Sequence, residues 1–374
     1  MAATGTAPIQ GSLEPISAGA STDDVLIAIL RANPRVSDLI FSPGRRFQVQ
    51  VNGEFVPVDM PGSSCLTADD TRRIASDLIG NNKAAISMLR EQGYCDVSYA
   101  LPGVARFRVN VFIQRGSCAV VMRVIPTVVP DFKSLGLPEQ LREISGLHDG
   151  LVLVTGPRGA GKSSTLAALL DHINESTTCH IITIEDPIEF LHNHKRATVH
   201  QRELHSDTPS IAHAMRAALR QAPNVIAVGE LKDRETMELA LEAAETGHVV
   251  LSTLNTLNAQ QTVERIVNAF PSSEQGGVRD RLARMLRFLI CQRLVPRQLD
   301  GRRVAVFETL KSESQMLDGL LCNPAHACAN DETDGLDLQI ERLVRAGVVS
   351  PEIALAHAID PRELSKKLAE ANKS

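Results

Sequence analysis

Residues Gly150 to Asn174, GLVLVTGPRGAGKSSTLAALLDHIN, change character twice. Leu151 to Val154 is a short apolar run of the kind that forms a buried strand. Thr155 to Gly161 is a glycine-rich turn. From Lys162 onward the residues favour helix, with Leu166, Leu169, Leu170 and Ile173 recurring at helical spacing. Between strand and helix, Gly156-Pro157-Arg158-Gly159-Ala160-Gly161-Lys162-Ser163 is a full match to G-x-x-x-x-G-K-[ST]. Glycines let backbone N–H groups wrap a phosphate chain, and the helix N-terminus adds the positive end of its dipole. Lys162 is expected to reach the β- and γ-phosphates, and the Ser163 hydroxyl to ligate Mg²⁺. Gly156 through Ser164 are therefore the candidate residues for binding ATP.

The chain has 374 residues, 43% of them hydrophobic and 22% charged, an ordinary soluble balance with room for two or three domains. A net charge of −5 gives no overall attraction to nucleic acid or to an anionic membrane, and 3% aromatics supply few stacking platforms. No run is long enough to span a bilayer, and the first residues lack the basic end and apolar core of a signal peptide. A cytoplasmic protein is expected. Seven scattered cysteines form no C-x-x-C pair, so neither a disulfide framework nor a zinc site is indicated.

Residues 1–21 read as a disordered tail. From 22 to 125 the pattern is a small α+β domain. Ser21 to Asp24 caps a helix, short strands from Ser37 to Val58 are separated by Pro43-Gly44 and Asn52-Gly53, and Thr67 to Asp70 opens further helices. Asp96 to Ile125 is strand-like and carries Arg106, Arg108 and Arg123. Pro126 to Pro138, with three prolines, reads as a linker. From 139 to 310 strands alternate with helices, the pattern of a parallel sheet covered on both faces, with strands at His180–Ile184, Val225–Val228 and Val249–Thr253. Leu282 to Val295 reads as a basic amphipathic helix. A C-terminal helical section, 311–374, holds an acidic loop near Asn330 to Asp334.

Hydrolysis needs carboxylates near the γ-phosphate, and open α/β sheets place their sites at strand ends. Glu230 ends the strand Val225–Val228 and suits a residue that deprotonates the attacking water. Glu185 and Asp186 follow another strand and suit water-mediated Mg²⁺ coordination. His248 precedes the strand Val249–Thr253, where a lone histidine is more often structural than catalytic.

Several blocks in this order resemble the PilT/PilU-type twitching-motility ATPases, a branch of the type II/IV secretion ATPase superfamily. They include SDLIFSPG from Ser37, LPGVARFRVNVFIQRG from Leu101, GPRGAGKSS, ITIEDPIEF from Ile182 and HQRELHSDT from His200. The longest is AVGELKDRETMELALEAAETGHVVLSTLNT from Ala227. The resemblance implies an α/β fold, with a PAS-like N-terminal domain joined to a RecA-like P-loop domain in a ring hexamer. It also implies a motor that turns Mg²⁺-dependent ATP hydrolysis into pilus retraction at the inner membrane, where it would meet a platform protein and a paralogous motor ATPase. In the same reading Glu230 is the catalytic glutamate, ITIEDPIEF with Glu185 is an acidic box, and His248 opens a histidine box. Arg106, Arg108 and Arg123 are similar to arginines that approach the γ-phosphate.

The chain departs from that pattern in three places. TLHT becomes Thr253-Leu254-Asn255-Thr256, and Asn255 cannot become cationic. The D-P-D before the Glu230 strand becomes Ala222-Pro223-Asn224. The segment A-I-R-N-L-I-R-E is replaced after Leu310. These features keep open an accessory PilU-like motor, a non-hydrolysing ATP-binding ring subunit, and a related secretion or conjugation ATPase.

Overall fold

The computed structural model describes residues 21–33, 35–51, 54–58, 65–125, 128–299, 302–312 and 335–371. Apart from Ser21, the expected tail lies outside them, as do Asn52-Gly53 and the acidic loop near residues 330–334. The chain divides into two compact units, Met1–Val128 and Val129–Ser374.

The first unit holds α1 (Thr22–Ala32), β1 (Val36–Phe41), β2 (Phe47–Val51), β3 (Glu54–Val58), α2 (Ala68–Ile79), α3 (Lys83–Gln92), β4 (Tyr94–Leu101), β5 (Ala105–Gln114) and β6 (Ser117–Ile125). The expected caps are present. Ser21 with Asp24, and Thr67 with Asp70, each form a reciprocal capping box at the start of α1 and α2. The strands form one antiparallel sheet in the order β3-β2-β1-β6-β5-β4. Alternation along β5 puts Phe107, Val109 and Val111 in the core and leaves Arg106 and Arg108 on the other face.

The second unit begins earlier than the sequence suggests. Asp131 caps α4 (Phe132–Leu135), and a 3-10 segment follows at Glu139–Gly146. Phe132, Leu137, Leu141 and Ile144 are buried in this unit's core. The stretch read as a linker is thus largely part of the second unit, because its apolar residues between the prolines have a surface to pack on.

Next come β7 (Gly150–Thr155), α5 (Lys162–Ser176), β8 (His180–Glu185), β9 (Thr198–Glu203), α6 (Ile211–Ala218), β10 (Val225–Val228), α7 (Arg234–Glu245), β11 (Val249–Leu254), α8 (Ala259–Val267), α9 (Gln275–Met285), β12 (Leu286–Pro296) and β13 (Arg303–Lys311). The sheet order is β13-β12-β7-β11-β10-β8-β9, parallel throughout except for β13. Successive residues of β7 serve opposite layers. Leu151 and Leu153 join the core shared with α6 to α9, while Val152 and Val154 pack with α5. A strand buried on both faces reads as a continuous apolar run, as Leu151–Val154 does.

Residues 282–295 are mostly strand, not helix. Leu282 to Met285 end α9, and β12 then runs through the sheet with most of its residues buried. Its arginines have specific roles that a basic helical face would not give them. Arg287 pairs with Asp149, and Arg293 donates to the His357 carbonyl.

The C-terminal helices α10 (Leu336–Arg345), α11 (Pro351–His357) and α12 (Pro361–Ala371) belong to the same unit, with Leu336, Ile340, Ala354 and Leu364 in its core. The Gln339 side chain accepts from Phe307 N at 3.1 Å and donates to the Phe307 carbonyl on β13. No helix among the described residues is long and apolar enough to cross a membrane.

Candidate nucleotide site

β7 delivers the chain to Gly156, and α5 starts at Lys162, as the strand–turn–helix reading requires. Two glycines answer to close contacts. A Cβ on Gly156 would lie 2.4 Å from the Gln292 carbonyl oxygen on β12. Gly161 has φ +87 and precedes α5 without a side-chain cap; a Cβ there would stand 3.0 Å from Gln292 Nε2.

Gln292 itself holds the loop. Its Nε2 donates to the Ala160 carbonyl and its Oε1 accepts from Thr165 Oγ1, both at 2.7 Å and both buried. Gln292 lies 127 residues from Thr165, so no local pattern marks the pairing. Gln292→Ala strands two buried groups and is expected to cost about 2–4 kcal/mol of stability. The measurement is denaturant unfolding, and a loss under 0.5 kcal/mol would remove Gln292 from this role.

Lys162 turns its ammonium to three acceptors: the carbonyls of Gly156 at 2.9 Å and Pro157 at 3.0 Å, and Asn255 Oδ1 at 2.7 Å. Burial draws its pKa below the ordinary lysine value, opposed by the nearby Glu230 and Glu189 carboxylates. Ser163 and Ser164, half-buried, follow in the first turn of α5, while Arg158 and Gly159 are exposed at the tip of the loop.

Strand register brings the acidic candidates to the same end of the sheet. Leu254 lies opposite Thr155, Val228 opposite both Ser252 and Ile184. Glu230, just beyond β10, accepts from Asn255 Nδ2 at 2.5 Å. Glu185 ends β8 close to Gly229 and accepts from Thr183 Oγ1 at 2.6 Å and Gln201 Nε2 at 3.1 Å. Burial raises its pKa, and those hydrogen bonds work against the rise. Asp186 pairs with Lys232 at 3.3 Å.

His248 is elsewhere. It precedes β11, at the end of the sheet where its carbonyl meets Gly150 N, the whole length of β7 from the P-loop. Six strand residues at about 3.3 Å each separate it from the site by about 20 Å. Its Nδ1 lies 3.0 Å from the Ala243 carbonyl and 3.2 Å from Thr246 Oγ1, which ties down the end of α7. Within this chain His248 stands away from the P-loop and holds the end of α7. His248→Ala is expected to lower Tm by a few degrees while nucleotide affinity, measured by displacement of a fluorescent analogue, stays within about twofold. Asn224, the other departure in this region, is structural as well, its Oδ1 accepting from His180 N at 2.9 Å.

In the first unit, Arg108 and Arg123 are register partners on β5 and β6, both exposed, with Arg106 two residues away on the same face. Arg123 Nε donates to Asp38 on β1 at 2.8 Å.

Residues 96–349 match the type II/IV secretion system protein family. The chain is 39% identical over 337 residues to the type IV pilus retraction ATPase PilT of Pseudomonas aeruginosa, covering 88% of this chain and 96% of that protein. It is 36% identical to the type IV pilus ATPase PilU of the same organism, over 88% of this chain and 86% of the relative. The crystal structure of the pilus retraction motor PilT with bound ADP superposes with a TM-score of 0.83 at 39% identity, covering 91% of this chain and 99% of that one. The family match, over residues 96–349, takes in the P-loop, both strand-end acids and the arginine-bearing strands. The chain belongs to the type II/IV secretion system protein family, and its P-loop unit has the fold of that family's ATPases.

Proposed function

We propose that the chain is a Mg²⁺-dependent ATPase motor of a type IV pilus, assembled as a homo-hexameric ring and driving retraction. The observation that carries this reading is the convergence of Lys162 and Glu230 on one side chain, Asn255, above the P-loop. A phosphate-binding cation and a carboxylate fit to take a proton from water thus stand on either side of one amide. The likeness to PilT and PilU along most of the chain supports the pilus assignment.

For Mg²⁺, no group of three or more His, Cys, Asp and Glu among the described residues is arranged to hold a metal unaided. That suits an ion carried mainly by substrate phosphates and water. Ser163 would bind it directly, with Glu185 and Asp186 beyond its water shell. The ion would neutralise charge on the β- and γ-phosphates, while Lys162 orients them and Glu230 accepts the proton.

In this reading Arg106, Arg108 and Arg123 offer cations to the nucleotide of the assembled ring. The soluble ring would dock on an inner-membrane platform protein from the cytoplasm, alone or beside a paralogous motor ATPase. Nucleic acid is not among its partners.

The test is ATP turnover with and without Mg²⁺, together with the mass of the assembly by light scattering. Turnover that requires Mg²⁺, from a particle of six 40.5-kDa chains, is expected. A monomer that neither assembles nor hydrolyses ATP would sink the reading. Asn255 favours one alternative, a ring subunit that binds ATP without hydrolysing it, and binding without turnover would select it. Loss of pilus retraction when the gene is deleted separates a pilus motor from a secretion or conjugation ATPase.

A further inference from the structure

Asn255 joins two groups that do not touch each other. An ammonium only donates and a carboxylate only accepts, so the amide must present its oxygen to Lys162 and its N–H to Glu230. Both flanking backbones are fixed. Thr253 Oγ1 donates to the Gly229 carbonyl at 2.6 Å, and Leu231 N donates to the Thr253 carbonyl at 3.1 Å. The end of β11 is thereby fastened to the Gly229–Leu231 segment that carries Glu230.

Resting on the ATPase reading, we propose that Asn255 is a positioning residue for Glu230 and for the attacking water. Its amide N–H aims the carboxylate. Its amide oxygen, released when anionic phosphate takes the Lys162 ammonium, becomes a second acceptor for the water. Phosphate wins that exchange because the acceptor is then an anion, and attraction between opposite full charges adds to the hydrogen bond. In the hydrolysis the water oxygen bonds the γ-phosphorus and one water proton passes to Glu230. The bridging P–O bond breaks with its electron pair going to ADP. Asn255 exchanges no proton; it accepts a hydrogen bond from the hydrogen that stays on the water. The asparagine in TLNT thus serves turnover through hydrogen-bond geometry rather than through a titrating ring.

The test uses the full chain with Asn255→Ala, Asn255→Asp, Glu230→Gln and the double variant Asn255→Ala/Glu230→Gln. It reads kcat and KM, ATP affinity by displacement of a fluorescent ATP analogue, and Tm. Asn255→Ala is expected to lower kcat roughly 10–100-fold, the scale of a misplaced reacting group, with ATP affinity within about threefold. Asn255→Asp, isosteric but without the donor and repelling Glu230, is expected to lose turnover similarly. In the Glu230→Gln background the alanine change should cost clearly less, since only the contact with the water is then left to lose. Wild-type-like kcat in Asn255→Ala, equal losses in both backgrounds, or an affinity loss as large as the kcat loss would overturn the proposal. Wild-type protein that binds ATP without turning it over would overturn the ATPase reading itself, and this proposal with it.

Discussion

Glu230→Gln is expected to lower ATP turnover roughly 10²–10⁴-fold, the usual contribution of a positioned general base, with ATP affinity within about threefold of wild type. Glutamine keeps the shape of the side chain and can still accept the Asn255 N–H through its amide oxygen. It cannot take a proton from water. Because Glu230 lies beyond β10 and its carboxylate bonds to Asn255, the change leaves in place the loop and the lysine that would hold the phosphates. Steady-state turnover beside displacement of a fluorescent nucleotide makes the comparison. If turnover stayed within tenfold of wild type, Glu230 would lose its role as base and Glu185 would become the carboxylate to test next.

Gly161→Ala should act on binding instead. At φ +87 an L-residue costs about 1–2 kcal/mol relative to glycine, and the new Cβ would press on Gln292 Nε2 at 3.0 Å. That amide keeps Ala160 and Thr165 in place, so the strain passes into the loop that must present its N–H groups to phosphate. We expect ATP affinity to fall more than tenfold and Tm to fall by roughly 3–6 °C. In Gly161→Ala/Gln292→Ala the two losses should sum to less than their separate values, because the clash is gone while the strain at φ +87 and the loss of the amide's bonds remain. An affinity unchanged in the single variant would mean that the loop adapts without help from β12.

The strand–turn–helix half of the candidate site was legible because it is local. Strand, glycine turn, lysine and helix occupy consecutive residues, and β7, β8, β10 and β11 follow their apolar runs almost to the residue. The capping boxes at Ser21 and Thr67 were equally plain, since the two partners are three residues apart. What failed was whatever depended on distant partners. β12 is buried on both faces and carries two arginines whose partners, Asp149 and the His357 carbonyl, are far away in sequence, so charges among apolar residues looked like one face of a helix. β9, TVHQRE, is a polar edge strand that only its pairing with β8 reveals. Asn255 was visible as a departure from a motif. That it stands between Lys162 and Glu230 depends on three segments meeting, at separations of 93 and 25 residues. His248 adjoins β11 in sequence but stands at the end of that strand away from the P-loop, which only the strand pairing reveals.

The grip of Gln339 on Phe307 bears on how copies of this chain can associate. Among the described residues β13 is the last strand on its side of the sheet, and the outward N–H and C=O of such a strand invite a further strand from another molecule. At Phe307, midway along β13, both groups are already claimed by a side chain of α10. Strand addition is blocked there, and with it a common route to fibrous aggregation. A second chain approaching this flank therefore meets side chains at the middle of β13 rather than free backbone.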